Sequence, residues 1–269
     1  MHLLHLPFPS LTSLELELGL WDLHKLQSAL EPFAEFSPNI GTLFLTIPRP
    51  VAVYNKFVSH CICQWRNLKS VICPQITLDM DALLHLSGVS ALSRLDIMLP
   101  PTLPSPDTTL PFPNLHELQL HSSSLAPIAW LFSHACLPVV TGFVVVIDSC
   151  PSKQEFTTFL AGVQTSGAGD NVLNLRLDQQ SPPTVGLDSP FCLCLDYLRP
   201  CMPSSRLRFI EINIKWDVYL TNNDVLSLAS ACPKLHTLCI NERRGWNTNS
   251  GGIMPNGLLQ LLQTCQDLT

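Results

Sequence analysis

The chain repeats one arrangement of apolar and polar positions about ten times. An aliphatic is followed by two variable residues and then by aliphatic, variable, aliphatic, and a proline-containing turn usually opens the phrase. Clear copies are Phe8-Pro9-Ser10-Leu11-Thr12-Ser13-Leu14-Glu15-Leu16, Phe112-Pro113-Asn114-Leu115-His116-Glu117-Leu118-Gln119-Leu120 and Cys232-Pro233-Lys234-Leu235-His236-Thr237-Leu238-Cys239-Ile240. The alternating tail has the period of a short strand, with Leu14 and Leu16 on one side and Ser13, Glu15 and Glu17 on the other. Between strands the spacing turns helical. Leu23, Leu26, Ala29 and Leu30 form one i, i+3, i+4 stripe, and residues 83–86, 225–229 and 258–262 repeat it. Asp81 and Asn223-Asp224 are residue types suited to opening helices, and a short helix is expected around 191–198. Each unit reads strand, loop, helix, turn. No single unit can bury its apolar side, but a stack can.

The first aliphatics of the phrases are Leu11, Ile40, Leu68, Leu92, Leu115, Val140, Val172, Leu207, Leu235 and Leu268, at intervals of 23 to 35 residues. They predict one array over 1–269, with insertions near 100–111 and 179–203. Strand one follows Met1 closely and the chain stops inside a phrase, so the array is expected to be truncated at both ends.

The phrase resembles the leucine-rich repeat. The join Ala231-Cys232-Pro233-Lys234-Leu235, with weaker echoes at 134–138 and 263–268, is similar to the cysteine-containing, fungal F-box-associated type. That resemblance implies an α/β solenoid of nine to ten irregular repeats, with a curved parallel sheet on its concave side and helices on its convex side. It also implies a substrate receptor of a ubiquitin ligase. A Skp-type adaptor would be engaged only through an upstream F-box, and no such helix pattern precedes the first repeat. The asparagine usual after the third aliphatic is replaced by Gly19, Pro48, Gln75, Pro100 or Ser123, so the usual asparagine ladder is not expected.

Charge narrows the functional classes. The net charge is −6, with only 13% charged residues against 46% hydrophobic, where roughly a quarter charged is usual. No basic stripe matches a phosphate backbone, which argues against nucleic acid. The longest apolar stretch, 139–147, falls far short of the ~20 residues that span a bilayer. No secretory signal opens the chain and no Asn-x-Ser/Thr site occurs, in keeping with a cytoplasmic or nuclear location. The eleven cysteines read as small buried hydrophobes, with neither disulfides nor zinc expected.

No Gly-x-Ser-x-Gly elbow, His-Glu-x-x-His or phosphate loop is present, so neither an enzyme nor a cofactor is expected. The glycine-dense segment 165–170 reads as a helix-to-strand turn. The leading expectation is protein–protein binding, with a protein partner or ubiquitylation substrate held on the strand face. The alternatives are a GTPase-regulating or other enzyme-associated scaffold, and a fragment without function. The strand period assigns Glu15, Glu17, Phe44, Arg94, Asp96, Glu117, Gln119, His121, Arg176, Asp178, Glu211, Asn213 and Asn241 to that face. Arg243, Arg244 and Trp246, in the loop after Ile240, are residue types enriched in binding hot spots.

Overall fold

The computed structural model describes residues 9–17, 23–47, 52–103, 109–169, 171–180, 192–198, 206–242 and 252–269. The expected strands form one parallel sheet of nine. In order across it they are β1 (Ser13–Glu17), β2 (Thr42–Thr46), β3 (Ser70–Thr77), β4 (Arg94–Met98), β6 (Glu117–Ser122), β8 (Gly142–Ile147), β9 (Asn174–Gln179), β11 (Phe209–Asn213) and β13 (Thr237–Ile240). Main-sheet strands neighbour one another in chain order, and the connections return along one face. This is an α/β leucine-rich-repeat solenoid.

The returns are helical where the stripes are helical. They are α1 (Leu23–Phe36), α2 (Ala52–Ile62), α3 (Met80–Gly88), α4 (Ala126–His134), α5 (Lys153–Thr165), α6 (Leu195–Leu198) and α7 (Asn222–Ala231), with α8 (Pro255–Thr264) after β13. Two helices start elsewhere than the sequence implies. Asp79, not Asp81, caps α3, its carboxylate accepting from Ala82 N at 3.0 Å. Thr221, not Asn223, caps α7, and Asp224 returns the bond to the Thr221 N–H in a capping box. In both cases the carboxylate spotted in the sequence lies inside the first turn.

Two short ladders join neighbouring returns outside the main sheet. β5 (Leu110–Pro111) pairs β7 (Ala135–Cys136), and β10 (Cys192–Leu193) pairs β12 (Asp217–Val218). Each is two residues long, too short for a periodicity to register. The glycine-dense segment is a turn between α5 and β9, with Gly167 at φ +81° where a side chain would be strained.

A backbone relay sets the register between units. The carbonyls of Thr12, Gly41, Lys69, Ser93, His116, Thr141, Leu173 and Arg208 each accept two successive N–H groups from the next unit, and His236 accepts from Thr269. The relay residue lies one position before the strand in each unit. Asparagines reinforce it one position before three of the anchors. Asn39, Asn114 and Asn171 donate to the carbonyls of Pro9, Ser90 and Pro138 in the preceding unit. The familiar asparagine position is therefore not repeated, and part of its bridging role falls on the turn instead.

The core lies between sheet and returns. Leu14, Leu43, Val71, Leu95, Leu118, Phe143, Leu175, Ile210 and Leu238 form one inward row, and all but Leu238 are buried. Cysteine use is mixed. Cys61, Cys73, Cys232 and Cys265 are buried as expected, whereas Cys136, Cys150 and Cys192 are exposed. Burial pushes the Cys61 thiol up to about 12 and Cys232 up to about 11, which suits inert packing groups.

Candidate functional site

Because side chains alternate across a strand, the face opposite the helices carries the other parity. Register aligns it in three rows. The first is Ser13, Thr42, Ser70, Arg94, Glu117, Gly142, Asn174, Phe209 and Thr237. The second is Glu15, Phe44, Ile72, Asp96, Gln119, Val144, Arg176, Glu211 and Cys239. The third includes Glu17, Thr46, Met98, His121, Val146, Asp178 and Asn213. Every strand residue singled out from the sequence, apart from Asn241, falls in these rows.

The polar members form two clusters. Over β4 and β6, Arg94 Nε lies 3.4 Å from Glu117 Oε2, and His121 Nε2 lies 3.1 Å from Asp96 Oδ1. The Arg94 pair is about half exposed, so its contribution to stability is about 0–1 kcal/mol. Gln119 Nε2 lies 3.0 Å from the same His121 nitrogen. Nε2 carries a single hydrogen, which it donates to the Asp96 carboxylate, and Gln119 is a second polar neighbour of the same nitrogen.

Over β9 and β11, Arg176 lies between two carboxylates, Nη2 3.6 Å from Asp178 Oδ2 and Nε 3.2 Å from Glu211 Oε2. The Nε contact is an ion pair but is not aligned as a hydrogen bond. Asn213 Nδ2 donates to Glu211 Oε1 at 2.8 Å, while Asn213 Oδ1 is buried without a hydrogen-bond partner. Asp96, Asp178 and Glu211 are each less than a tenth exposed. These carboxylates sit low on the face, where solvent screens them less.

Between the clusters the face dips. Gly142 and Val144 on β8 offer little side chain, and an open depression of about 550 Å³ forms there. Arg94, Glu117 and Gln119 border it on one side and Asn174, Arg176 and Phe209 on the other. A Cβ on Gly142 would touch Asn174 at 3.6 Å, an ordinary contact, so the glycine leaves room rather than answering a constraint.

The structure treats the sequence candidates unequally. Glu15 and Glu17 are exposed, and Arg94 through Glu211 form the two clusters. Asn213 is on the face but occluded. Asn241 is not a surface contact residue: it is buried at φ +52°, its Oδ1 accepts from Ile214 N and its Nδ2 donates to Trp216 O. It pins one loop to the next. Arg243, Arg244 and Trp246 lie outside the described residues. Sequence reasoning missed the depression, because Gly142 and Val144 stand out only once register places them between the charged clusters.

No protein-family model matches the sequence, and no curated protein matches it. Among solved structures, the chain is similar to a plant peptide hormone receptor, RGFR1, solved in complex with RGF2. The identity is 14% and the TM-score 0.46, over 97% of this chain and 35% of that one. It is also similar to an internalin, inlF, of Listeria monocytogenes, at 10% identity and a TM-score of 0.33, over 97% and 86% of the two chains. The chain thus spans about a third of the receptor's length. The fold assignment rests on the strand ladder itself. Among the described residues no helix is long and apolar enough to cross a membrane, and no group of three or more His, Cys, Asp or Glu is placed to hold a metal.

Proposed function

We propose that the chain is a binding scaffold that holds a protein or peptide partner across the open face of its sheet. The observation that carries this reading is the depression over β8, flanked by two ion-pair clusters on a rigid ladder of parallel strands. Side chains held on strands are preorganised, which reduces the entropy lost on binding. Apolar Phe44, Ile72 and Val144 stand between charged positions of the second row, a mixture suited to a protein surface. The test is affinity capture from the source cell with the wild-type chain and Gly142→Phe, a replacement that fills the depression while keeping a good strand residue. Loss of a partner on Gly142→Phe, with thermal unfolding unchanged, supports the site. Retention of every partner by Gly142→Phe refutes it.

The finer reading is substrate recognition for a ubiquitin ligase, in the cytoplasm or nucleus. What supports it is the cysteine-containing join. Cys232 and Cys265 are both fully buried just after α7 and α8, and Cys265 Sγ lies 3.4 Å from Cys232 O, joining equivalent positions of successive units. This reading gives target capture to the residues described here and adaptor contact to an F-box helix set elsewhere. A captured partner whose ubiquitylation rises with co-expression of the chain supports it; direct, tight binding of a Skp-type adaptor by this chain contradicts that division. Arg243, Arg244 and Trp246 belong to the proposal as a second contact, tested by Arg243→Ala with Trp246→Ala in the same capture.

A further inference from the structure

We infer that the occupant of the open face is an extended cationic segment, laid across the strands with a basic residue at about every fourth position. This deepens the binding reading and rests on it. Counting the three rows, the face carries Glu15, Glu17, Asp96, Glu117, Asp178 and Glu211 against Arg94 and Arg176. Both guanidiniums are already engaged by carboxylates of the same face. Carboxylates thus outnumber guanidiniums three to one in these rows, with His121 beside Asp96 as a further basic group.

Its distribution is periodic. The carboxylates gather over β1, over β4 and β6, and over β9 and β11. Charged side chains are absent from the face of β2 and β3, which present Phe44 and Ile72 in the second row, and from that of β8, which presents Gly142, Val144 and Val146. From β1 to β4, and again from β4 to β9, there are three strand spacings. At ~4.8 Å each these span roughly 14 Å, and an extended peptide rising ~3.3 Å per residue covers that distance in about four residues. An even interval keeps successive basic residues on the same side of the peptide. The residue midway between them faces the uncharged strands, where an aliphatic side chain fits.

The third cluster is rich in acceptors. Asn213 Oδ1 is buried beside Asp178 and Glu211 with no hydrogen bond. The amide cannot be turned to relieve this, because its nitrogen donates to Glu211 Oε1 and an oxygen there would face a carboxylate. A buried acceptor without a donor is costly. Asp178 and Glu211 form an acidic corner, with the Asn213 amide occluded beneath it, that a guanidinium or ammonium group complements. Exposed Arg66, Lys69, Arg206, Arg208 and Lys234 lie along the strand-start edge, while Lys215 follows β11 on the opposite edge.

The test uses the whole chain and three labelled nine-residue peptides of alanine and valine, followed by fluorescence anisotropy. One carries arginine at its first, fifth and ninth positions; the second carries three arginines at uneven, odd intervals; the third replaces the arginines of the first with glutamates. The evenly spaced arginine peptide is expected to bind at least about tenfold more tightly than either control, with binding weakened by salt. Glu15→Gln with Glu17→Gln, both exposed and tolerated by the fold, is expected to weaken it about threefold, and Glu211→Gln, which keeps an acceptor for Asn213, by more. Equal binding of the odd-spaced peptide, or binding insensitive to these variants, overturns the inference. If none of the peptides binds while a captured partner is still lost on Gly142→Phe, the cationic occupant is wrong and the binding face stands. If both results are negative, both readings fall.

Discussion

The middle of the array and its last unit are built on the same phrase and differ in what surrounds it. In the middle, Phe132 of α4, Phe143 of β8 and Phe159 of α5 meet as a buried aromatic triangle, with ring centroids 5.2 to 6.1 Å apart. In the last described unit, Leu258, Leu259 and Leu262 of α8 are about half exposed, and Leu238 and Ile240 line an open groove of about 270 Å³ with Leu258 and Leu262. The leucines are as regular at the end as in the centre. Periodicity marks which residues are able to be core, and packing between units makes them so.

That contrast is open to direct attack. The largest expected effect is Phe143→Ala, which removes the centre of the triangle and destabilises by about 3–5 kcal/mol. Leu258→Ser should change stability by no more than about 0.5 kcal/mol. Urea unfolding of the two variants checks the difference, and equal losses would erase the distinction between middle and end.

Alkaline pH should weaken the interior units next. Burial raises the Cys61 thiol to about 12, with Glu31 adding to the effect, and raises Cys73 further, with Asp96 adding. Unfolded thiols ionise near 9 while these two keep their protons, so the folded state binds more protons above that pH. Stability is full below about pH 9 and falls above it, by about 1.4 kcal/mol per pH unit for each thiol. Urea midpoints at pH 8 and pH 10 measure this, and Cys73→Val should flatten the slope.

Asn241→Ala follows in size. It leaves the Ile214 N–H and the Trp216 carbonyl without their buried partner and places alanine at positive φ, a loss of about 2 kcal/mol. Hydrogen exchange should quicken first in residues 212–216, well before the amides of β6 and β8.

The smallest effect sharpens the packing between α4 and α5. A Cβ on Gly162 would lie 3.0 Å from Phe132 Cβ and 3.3 Å from two backbone atoms of α4. Alanine gains about 1 kcal/mol in helix propensity but overpacks by about 1–3 kcal/mol, and backbone atoms cannot step aside. Gly162→Ala should therefore lower stability by about 1 kcal/mol, read by thermal unfolding.

Much of this fold was legible in the sequence because its signals are local and periodic. Leu115 and Leu235 announce strands within six residues, and the α1 stripe needs only four apolar positions. What escaped depends on pairing across units. Leu110-Pro111 shows no strand period, and becomes one only beside Ala135-Cys136. The helix caps slipped because capping residue types occupy both cap and first-turn positions, Asp79 beside Asp81 and Thr221 beside Asp224, and spacing alone does not separate them. Much of the candidate face followed from alternation. Its depression did not, since an absent side chain at Gly142 gains meaning from Glu117 and Asn174 beside it. Asn241 was misread for the opposite reason: its parity with the strand breaks at a left-handed residue.

The doubly accepting carbonyls before each strand carry one more implication. They fasten successive units at a single point using main-chain atoms alone, so alignment there does not depend on how far the chain wanders before coming back. Units of 23 or 35 residues arrive at the same hitching point. Such a fastening lets the outer loops lengthen, shorten or fill with proline over evolutionary time while the inner surface keeps its lattice of side chains.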